Sequence, residues 1–244
     1  IFGKKNYITF HGEDFFNIKN AKWYNMLCKC FNGIFSISPR YINTLKKIHD
    51  KDIIQIYNGI DTTIYKNINK ERKKQILAVA NFKKQKGLKF LVEGFNEFTR
   101  SNPNLDHYKL IIAGKGILYN EINLMIKKMN LNKKVFLVGQ KDRNELIKLY
   151  NESEIFVLSS IWEGFAKVLV EAMACGCKVI STKVDSAPIV LEDWGYMINH
   201  SSSSEIASTL FKVIKDKNYQ FDKQENVLRK FTWNNVRRIY RKSI

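Results

Sequence analysis

Short apolar runs alternate along the chain with longer segments whose apolar residues recur at helical spacing. Residues 88–98 and 118–129 carry apolar side chains at i, i+3, i+4 and i+7, a spacing that predicts amphipathic helices. Between such segments lie runs of strand length, with few polar interruptions. The predicted strands are 7–10, 34–37, 53–57, 75–80, 108–113, 135–138, 155–158 and 178–181.

This alternation predicts the fold class. Continuous apolar strands separated by helices indicate a parallel sheet covered on both faces, and therefore an α/β protein. The polar stretch that begins at Asn58-Gly59 interrupts the alternation and predicts a linker at 59–74. The expected organisation is a partial N-terminal domain (1–58), this linker, an α/β domain (75–215) and C-terminal helices (216–244).

Composition and charge narrow the function classes. A hydrophobic content of 45% with 26% charged residues is typical of a globular protein. The net charge of +18 favours an anionic partner such as a phosphorylated ligand or an acidic membrane surface, although the evenly spread lysines also fit a genome-wide bias. No basic stripe with interleaved aromatic residues is visible, so nucleic acid is not predicted. The longest apolar run is too short to cross a membrane.

The first residues of the chain and its cysteines bear on the cellular compartment of the protein. The chain opens on Ile inside a predicted strand and without a secretory signal, so we expect a fragment of a longer protein. Its cysteines form two C-x-C pairs, Cys28/Cys30 and Cys175/Cys177, whereas zinc sites usually space their ligands as C-x₂₋₄-C. We predict buried, reduced thiols in an intracellular protein, and no metal site.

Two glutamates follow the apolar run that ends near Leu158. Glu163 falls in the loop after this strand, and Gly164 allows a ligand to approach the backbone. Glu171 is expected two turns into an otherwise apolar helix, where a carboxylate is costly unless it is hydrogen-bonded. A ligand diol such as a ribose is one suitable partner, and solvent or a lysine is the alternative.

Three further candidates lie at strand ends. Lys86-Gly87 at a helix start suits phosphate oxygens, although a solvated basic loop is an equally simple interpretation. The G-x-G turn from Gly114 to Gly116 resembles a nucleotide turn, but an ordinary β–α turn is more common. His11, followed by Gly12, is more often a structural histidine than a catalytic one.

Taken in order, these segments resemble the retaining GT-B glycosyltransferases of family 4 over essentially the whole chain. Glu163 and Glu171 match the E-x₇-E motif of that family, with Gly164-Phe165-Ala166 between them. The other matching segments are Thr9-Phe10-His11-Gly12, Asn58-Gly59-Ile60-Asp61, Lys86-Gly87, Ala113-Gly114-Lys115-Gly116 and Ala172-Met173-Ala174-Cys175-Gly176.

The resemblance implies two Rossmann-like domains across a cleft, with a nucleotide sugar held by the C-terminal one. It implies that Lys86 contacts the donor diphosphate, that Glu171 binds the ribose and that Glu163 faces the donor sugar. It places the loop of Gly139, Gln140 and Lys141 near the base, and it implies that the C-terminal segment Trp233–Tyr240 is a helix that crosses back to the N-terminal domain. Further donor contacts are implied for Gly87, Gly114 and the amides of Gly164, Phe165 and Ala166, and acceptor-side contacts for His11 and Gly12. No metal or other cofactor is then expected.

The chain departs from the family pattern at several positions. Asn81 stands where an arginine is common, so Lys83 or Lys84 is the expected substitute. Ala166 and Lys167 replace a glycine and a small polar residue, and Val190 replaces an acidic residue. The N-terminal part is also much shorter than the family's, so the chain is expected to bind nucleotide but its capacity for transfer is in question.

The function implied by the resemblance is transfer of a hexose from a UDP- or GDP-sugar, with retention, to a glycan or lipid-linked acceptor. The expected setting is cell-surface polysaccharide or glycolipid synthesis in the cytoplasm, at the inner face of an anionic membrane. Two alternatives stay open. One is a catalytically incomplete fragment that binds a nucleotide or a partner, and the other is a nucleotide-sugar epimerase of the same fold.

Overall fold

The computed structural model describes residues 5–11, 29–48, 52–68, 71–192 and 194–243. Its first three strands form one small parallel sheet in the order β1-β2-β3, with Ile34 of the middle strand opposite Ile8 and Ile53. A helix, α1 (Pro39–Ile48), follows the middle strand. The strands are β1 (Tyr7–Phe10), β2 (Gly33–Ser36) and β3 (Ile53–Gln55).

The next six strands form a second sheet in the order β6-β5-β4-β7-β8-β9, and every neighbouring pair is parallel. Ile76 of β4 lies opposite Leu110 on one side and Ile155 on the other. The strands are β4 (Lys73–Val79), β5 (Lys109–Ala113), β6 (Val135–Leu137), β7 (Ser153–Leu158), β8 (Lys178–Thr182) and β9 (Tyr196–Ile198).

Helices follow the strands of this sheet and continue to the end of the described chain. They are α2 (Leu88–Ser101), α3 (Tyr119–Lys128), α4 (Arg143–Glu152), α5 (Lys167–Ala174), α6 (Ala187–Leu191), α7 (Ser203–Lys215), α8 (Phe221–Leu228) and α9 (Trp233–Ser243). No helix among the described residues combines the length and the hydropathy needed to cross a bilayer.

The core explains why the strands of the large sheet carry apolar runs. Ile76 and Ala78 of β4 pack into one cluster with α2, α3 and α7, while Leu77 packs into a second cluster with α5 and α6 on the opposite face. Successive side chains of a strand point to opposite faces, so a sheet covered on both sides buries consecutive positions in the middle of a strand. The α/β prediction with a parallel sheet is confirmed.

The strand order fixes where a ligand can bind. Counted along the chain, the six strands stand in the order 3-2-1-4-5-6, and the direction of winding reverses between β4 and β7. Loops that leave the carboxyl ends of these two strands diverge and open a crevice between them. A ligand-binding site is therefore expected in the segments after β4 and β7.

The two sheets are linked through the end of the chain and through the loop after β7. The ring of Tyr240 in α9 packs on Phe35 of β2 with centroids 4.7 Å apart. Trp162 packs against the buried cluster of the small sheet, which contains Phe10 and Ile34. The predicted domain boundaries stay a prediction, because the contacts describe packing and not independent folding.

Most predicted elements agree with the structure, with three differences. The short strand β9 was not predicted, because three residues are too few to produce a pattern. Helix α5 begins only at Lys167, because Ala166 has non-helical dihedral angles, so Glu171 lies one turn into the helix and not two. Cys175 and Cys177 are buried as expected, but Cys30 is exposed in a turn, and Cys28 lies outside the described residues.

Candidate functional site

A cavity of about 290 Å³ opens at the carboxyl ends of β4, β5 and β7. Its position coincides with the reversal of strand order, where open parallel sheets bind ligands. The last residues of β4 and β5, loop residues after β4, β5, β6 and β7, the first turn of α5 and one residue of α4 form its walls. The lining residues are Val79, Ala80, Asn81, Lys86, Ala113, Gly114, Gln140, Lys141, Leu146, Glu163, Phe165, Ala166, Lys167 and Val168.

Lys86 reaches the cavity from a single 3₁₀ turn, Lys84–Lys86, that ends at Gly87. Gly87 has φ +61°, and a Cβ atom there would lie 2.1 Å from the carbonyl oxygen of Ser159. Only glycine permits both this dihedral angle and this close approach. The turn is thereby held against the segment that follows β7, and the hydroxyl of Ser159 donates to the carbonyl of Lys86 at 2.9 Å.

Lys86 and Glu163 form an ion pair across the cavity wall. The Lys86 Nζ atom lies 2.6 Å from Oε1 of Glu163, and the same oxygen accepts a hydrogen bond from Ser160 Oγ at 2.7 Å. The two charged side chains are only 18% and 13% exposed. Removing one partner of so enclosed a pair leaves the other charge uncompensated, so the two residues depend on each other.

Two glycines shape the opposite wall. Gly114 has φ +146°, and a Cβ atom there would lie 1.9 Å from the carbonyl oxygen of Ala80. Its amide donates to the carbonyl of Gly139 at 2.8 Å, which brings together the turns after β4, β5 and β6. Gln140 and Lys141 line the cavity beyond this contact, whereas Gly139 itself does not.

The loop before α5 contributes backbone and an aromatic ring. The amide of Ala166 donates to Ser186 Oγ at 3.0 Å, which fixes the loop to the segment before α6. The ring of Phe165 packs against Phe231 at a centroid distance of 5.7 Å and against Tyr57. These contacts hold the start of α5 at the cavity.

Glu171 lies one turn further along α5 and does not line the cavity. Its Oε2 accepts a hydrogen bond from the hydroxyl of Tyr150 at 3.1 Å, and its Oε1 lies 3.7 Å from Lys167 Nζ. Burial raises the pKa of the Glu171 carboxyl, while the Lys167 charge and hydrogen bonds from Tyr150 and Tyr65 act in the opposite direction.

The structure brings six of the predicted site residues to the cavity, namely Lys86, Gly114, Gln140, Glu163, Phe165 and Ala166. Gly87, Gly139, Gly164 and Glu171 belong to the same segments but are not among the lining residues. His11 is exposed at the end of β1 and does not line the cavity, and Gly12 lies outside the described residues.

Two positions at which the chain departs from the family pattern, Asn81 and Lys167, both line this cavity. Asn81 lines it, but neither of the expected substitutes, Lys83 and Lys84, is among its lining residues. The lysines present besides Lys86 are Lys141 and Lys167, which come from the loop after β6 and from the first residue of α5. Positive charge besides Lys86 therefore enters the cavity from the loop expected near the base and from a position that departs from the family pattern, and not from Lys83 or Lys84.

Sequence reasoning also missed the residues that hold the two glutamates. Ser160 is the second residue after β7, so its place near a strand end was an available signal. Tyr65 and Tyr150 contact Glu171 from a loop and from α4, and no spacing in the sequence indicates that pairing. In the part of the chain that the structure describes, no three His, Cys, Asp or Glu side chains are grouped as a metal site would require.

Comparisons with known proteins identify the family. Residues 49–230 match the family described as glycosyl transferases group 1. The chain is 27% identical over 226 residues to N-acetyl-alpha-D-glucosaminyl L-malate synthase of Bacillus anthracis, covering 85% of this chain and 58% of that protein. It is 30% identical over 192 residues to N-acetylgalactosamine-N,N'-diacetylbacillosaminyl-diphospho-undecaprenol 4-alpha-N-acetylgalactosaminyltransferase of Campylobacter jejuni, covering 75% and 47%. The chain thus spans about half the length of these relatives.

Solved structures agree on the fold. Anabaena HepE in complex with UDP superposes with a TM-score of 0.85 at 17% identity, covering 98% of this chain and 72% of that one. S. aureus TarM superposes with a TM-score of 0.80 at 19% identity, covering 98% and 50%. The fold is therefore of the predicted GT-B type, and with the match over residues 49–230 the chain belongs to the group 1 glycosyltransferases.

Proposed function

We propose that this chain carries the donor site of a retaining hexosyltransferase that uses a UDP- or GDP-sugar and a glycan or lipid-linked acceptor. The observation that carries the proposal is the cavity at the reversal of strand order, where Lys86, Glu163 and the first turn of α5 converge. Lysine and aligned amides suit a leaving diphosphate, whose negative charge grows as the glycosidic bond breaks. Relatives with transferase names and neighbouring structures that hold UDP support it.

The role proposed for each residue depends on where the residue lies at the cavity. Lys86 binds the diphosphate, Glu163 faces the donor sugar, and Gln140, in the loop after β6, lies beside the base. The amides of Gly164 and Phe165 face the donor, while Ala166, whose amide is held by Ser186 Oγ, contributes to the wall beside them. No metal is required because lysines supply the positive charge. Glu171, whose Oε1 lies 3.7 Å from Lys167 Nζ, accepts from the ribose.

The first test is binding. Thermal unfolding is followed with UDP, GDP and ADP on the wild-type chain, on Lys86→Gln and on Lys84→Gln, a matched control in the same turn that does not line the cavity. A nucleotide at 100 times its dissociation constant should stabilise the wild type by about 2.7 kcal/mol. Lys86→Gln should lose most of that stabilisation and Lys84→Gln should keep it. Stabilisation by none of the three nucleotides would contradict the donor site.

Retention is tested on the product. With an α-linked sugar nucleotide as donor, the new glycosidic bond should also be α, and the anomeric coupling constant in an NMR spectrum reports it. A β product would overturn the proposed retention while leaving the donor site intact. Because the chain covers 58% and 47% of two named relatives, nucleotide binding without transfer would favour the incomplete-fragment alternative.

We also propose an anionic membrane surface as a partner, in line with a net charge of +18. Helix α9 is the most basic described element near the small sheet, with Arg237, Arg238, Arg241 and Lys242 in its last two turns. Each basic residue close to an anionic leaflet contributes about 1 kcal/mol. Cosedimentation with phosphatidylglycerol vesicles, and not with phosphatidylcholine vesicles, is the expected result. Equal binding to both, or to neither, contradicts it.

A further inference from the structure

Two hydrogen-bond donors hold Glu163, and they differ in how easily a ligand can draw them away. Both Lys86 Nζ and Ser160 Oγ bind the same oxygen, Oε1, at 2.6 and 2.7 Å. Among the described residues, the second oxygen, Oε2, accepts no hydrogen bond. One side of the carboxylate is thus fixed and the other is available in a cavity that Glu163 lines.

An anionic ligand in this cavity competes with Glu163 for Lys86. A diphosphate carries more negative charge than one carboxylate, and the ammonium group has three donors that it can redirect. As Lys86 turns toward the phosphates, Glu163 loses much of its charged partner. An enclosed carboxylate without compensation either moves or repels the incoming anion.

Ser160 is the donor whose position is fixed by the protein and not by a ligand. The residue is 1% exposed, and its carbonyl accepts a hydrogen bond from the hydroxyl of buried Thr182 at 2.6 Å. The next amide, that of Ile161, donates to the carbonyl of Gln85 at 2.7 Å. The backbone on both sides is therefore fixed, and the hydroxyl stays where Oε1 needs it.

We propose that Ser160 is a positioning residue that keeps Glu163 on its own side of the cavity and so releases Lys86 to a diphosphate. The inference rests on the proposed function, because it takes the ligand to be a nucleoside diphosphate. Lys86 exchanges partners on binding, and Glu163 stays bound to Ser160 with Oε2 free for a ligand hydroxyl.

A double-mutant cycle tests this role. Dissociation constants for whichever of UDP, GDP and ADP binds most tightly are measured for the wild type, Ser160→Ala, Glu163→Gln and the double variant. Ser160→Ala should weaken binding about tenfold, which corresponds to about 1.4 kcal/mol, because Glu163 then competes harder for Lys86. In the Glu163→Gln background, where the competing charge is gone, the same substitution should change affinity less than twofold.

Ser181→Ala is the matched control, because Ser181 is equally buried and its hydroxyl donates only to the carbonyl of Thr182 at 2.8 Å. It should leave nucleotide affinity unchanged in both backgrounds, and melting temperatures without ligand report whether each variant is folded. An equal loss from Ser160→Ala in both backgrounds, or no loss at all, overturns the positioning role alone. Failure of the wild type to bind any of the three nucleotides overturns the proposed function, and this inference with it.

Discussion

The hydroxyl of Tyr150 donates a hydrogen bond to Oε2 of Glu171 at 3.1 Å, and both residues are buried, at 0% and 5% exposure. Tyr65 hydrogen-bonds the same carboxyl group from the loop between the two sheets. These hydrogen bonds explain how a carboxylate is tolerated in an apolar helix. It also means that Glu171 already has internal partners before any ligand arrives.

The first prediction concerns the pH dependence of stability. Burial raises the pKa of Glu171 above its ordinary value of 4.5, so the folded state binds its proton more readily than the unfolded state. The resulting stability is present below about pH 4.5 and is lost as the pH rises through the raised pKa. The melting temperature of the wild type, minus that of Glu171→Gln, should therefore fall between pH 4 and pH 8.

Glu145→Gln is the control, because the stability that Glu145 contributes should change with pH in the opposite direction. A hydrogen bond from Lys141 and one from the amide of Asp142 lower the pKa of the Glu145 carboxyl, so its contribution is present above the ordinary value and is lost as the pH falls. The wild-type-minus-variant difference should then increase with pH. The same trend for both variants would contradict the assignment for Glu171.

A second prediction concerns Arg72. Its guanidinium donates to the carbonyls of Tyr150 and Ser153 at 3.0 and 2.7 Å, and to that of Cys175 at 2.5 Å. These carbonyls lie at the ends of α4 and α5, where helices leave acceptors unsatisfied. Lysine cannot bridge them, because it lacks the planar fork of donors. Arg72→Lys should lower the free energy of unfolding by about 2 kcal/mol.

Urea denaturation measures the Arg72 effect. Arg100→Lys, at an exposed position of α2, is the matched control and should change the free energy of unfolding by less than about 0.5 kcal/mol. A loss of similar size in both variants would show that the two helix ends do not depend on the fork of Arg72.

A third prediction concerns Lys167 as a cation of the cavity. Its side chain is 54% exposed, and as the first residue of α5 it lines the cavity. Lys167→Gln should weaken binding of a nucleoside diphosphate about fivefold, which fits a partly screened charge contact, and should leave the nucleoside unaffected. The unliganded melting temperature is measured alongside, because Lys167→Gln removes both an unfavourable cation at the helix N-terminus and the ion pair with Glu171.

Titration calorimetry in low salt measures this effect, with Lys148→Gln as the control. Lys148 is an exposed lysine of α4 that does not line the cavity. Equal losses for the two variants would indicate a general effect of net charge and would remove Lys167 from the site.

A fourth prediction compares Gly114, which lines the cavity, with Gly139, whose carbonyl accepts a hydrogen bond from the Gly114 amide. Gly114→Ala places Cβ against the carbonyl of Ala80, at a distance of 1.9 Å, and should cost about 3 kcal/mol or more. Gly139→Ala meets nothing within 4 Å, so only its left-handed dihedral angle of +73° is penalised, by about 1 kcal/mol. Chemical denaturation of both variants measures the difference. A larger cost at Gly139 would contradict the packing of the turns after β4 and β5.

The sequence by itself determined the architecture of the protein. Alternating apolar strands and amphipathic helices predicted eight of the strands, because a sheet covered on both faces favours consecutive apolar residues within a strand. The E-x₇-E spacing, with Lys86 and the glycine turns, also located the segments that form the cavity. These are local signals, and each one is contained within a few neighbouring residues.

Only the tertiary structure decided how the site residues pair. Glu163 lines the cavity beside Lys86, 77 positions earlier in the chain, whereas Glu171 is turned toward Tyr150. No periodicity encodes such contacts, because they depend on which strands become neighbours in the sheet. Ser160 and Lys167 contact their glutamates within four residues along the chain, but only the tertiary structure shows that these contacts lie beside the cavity.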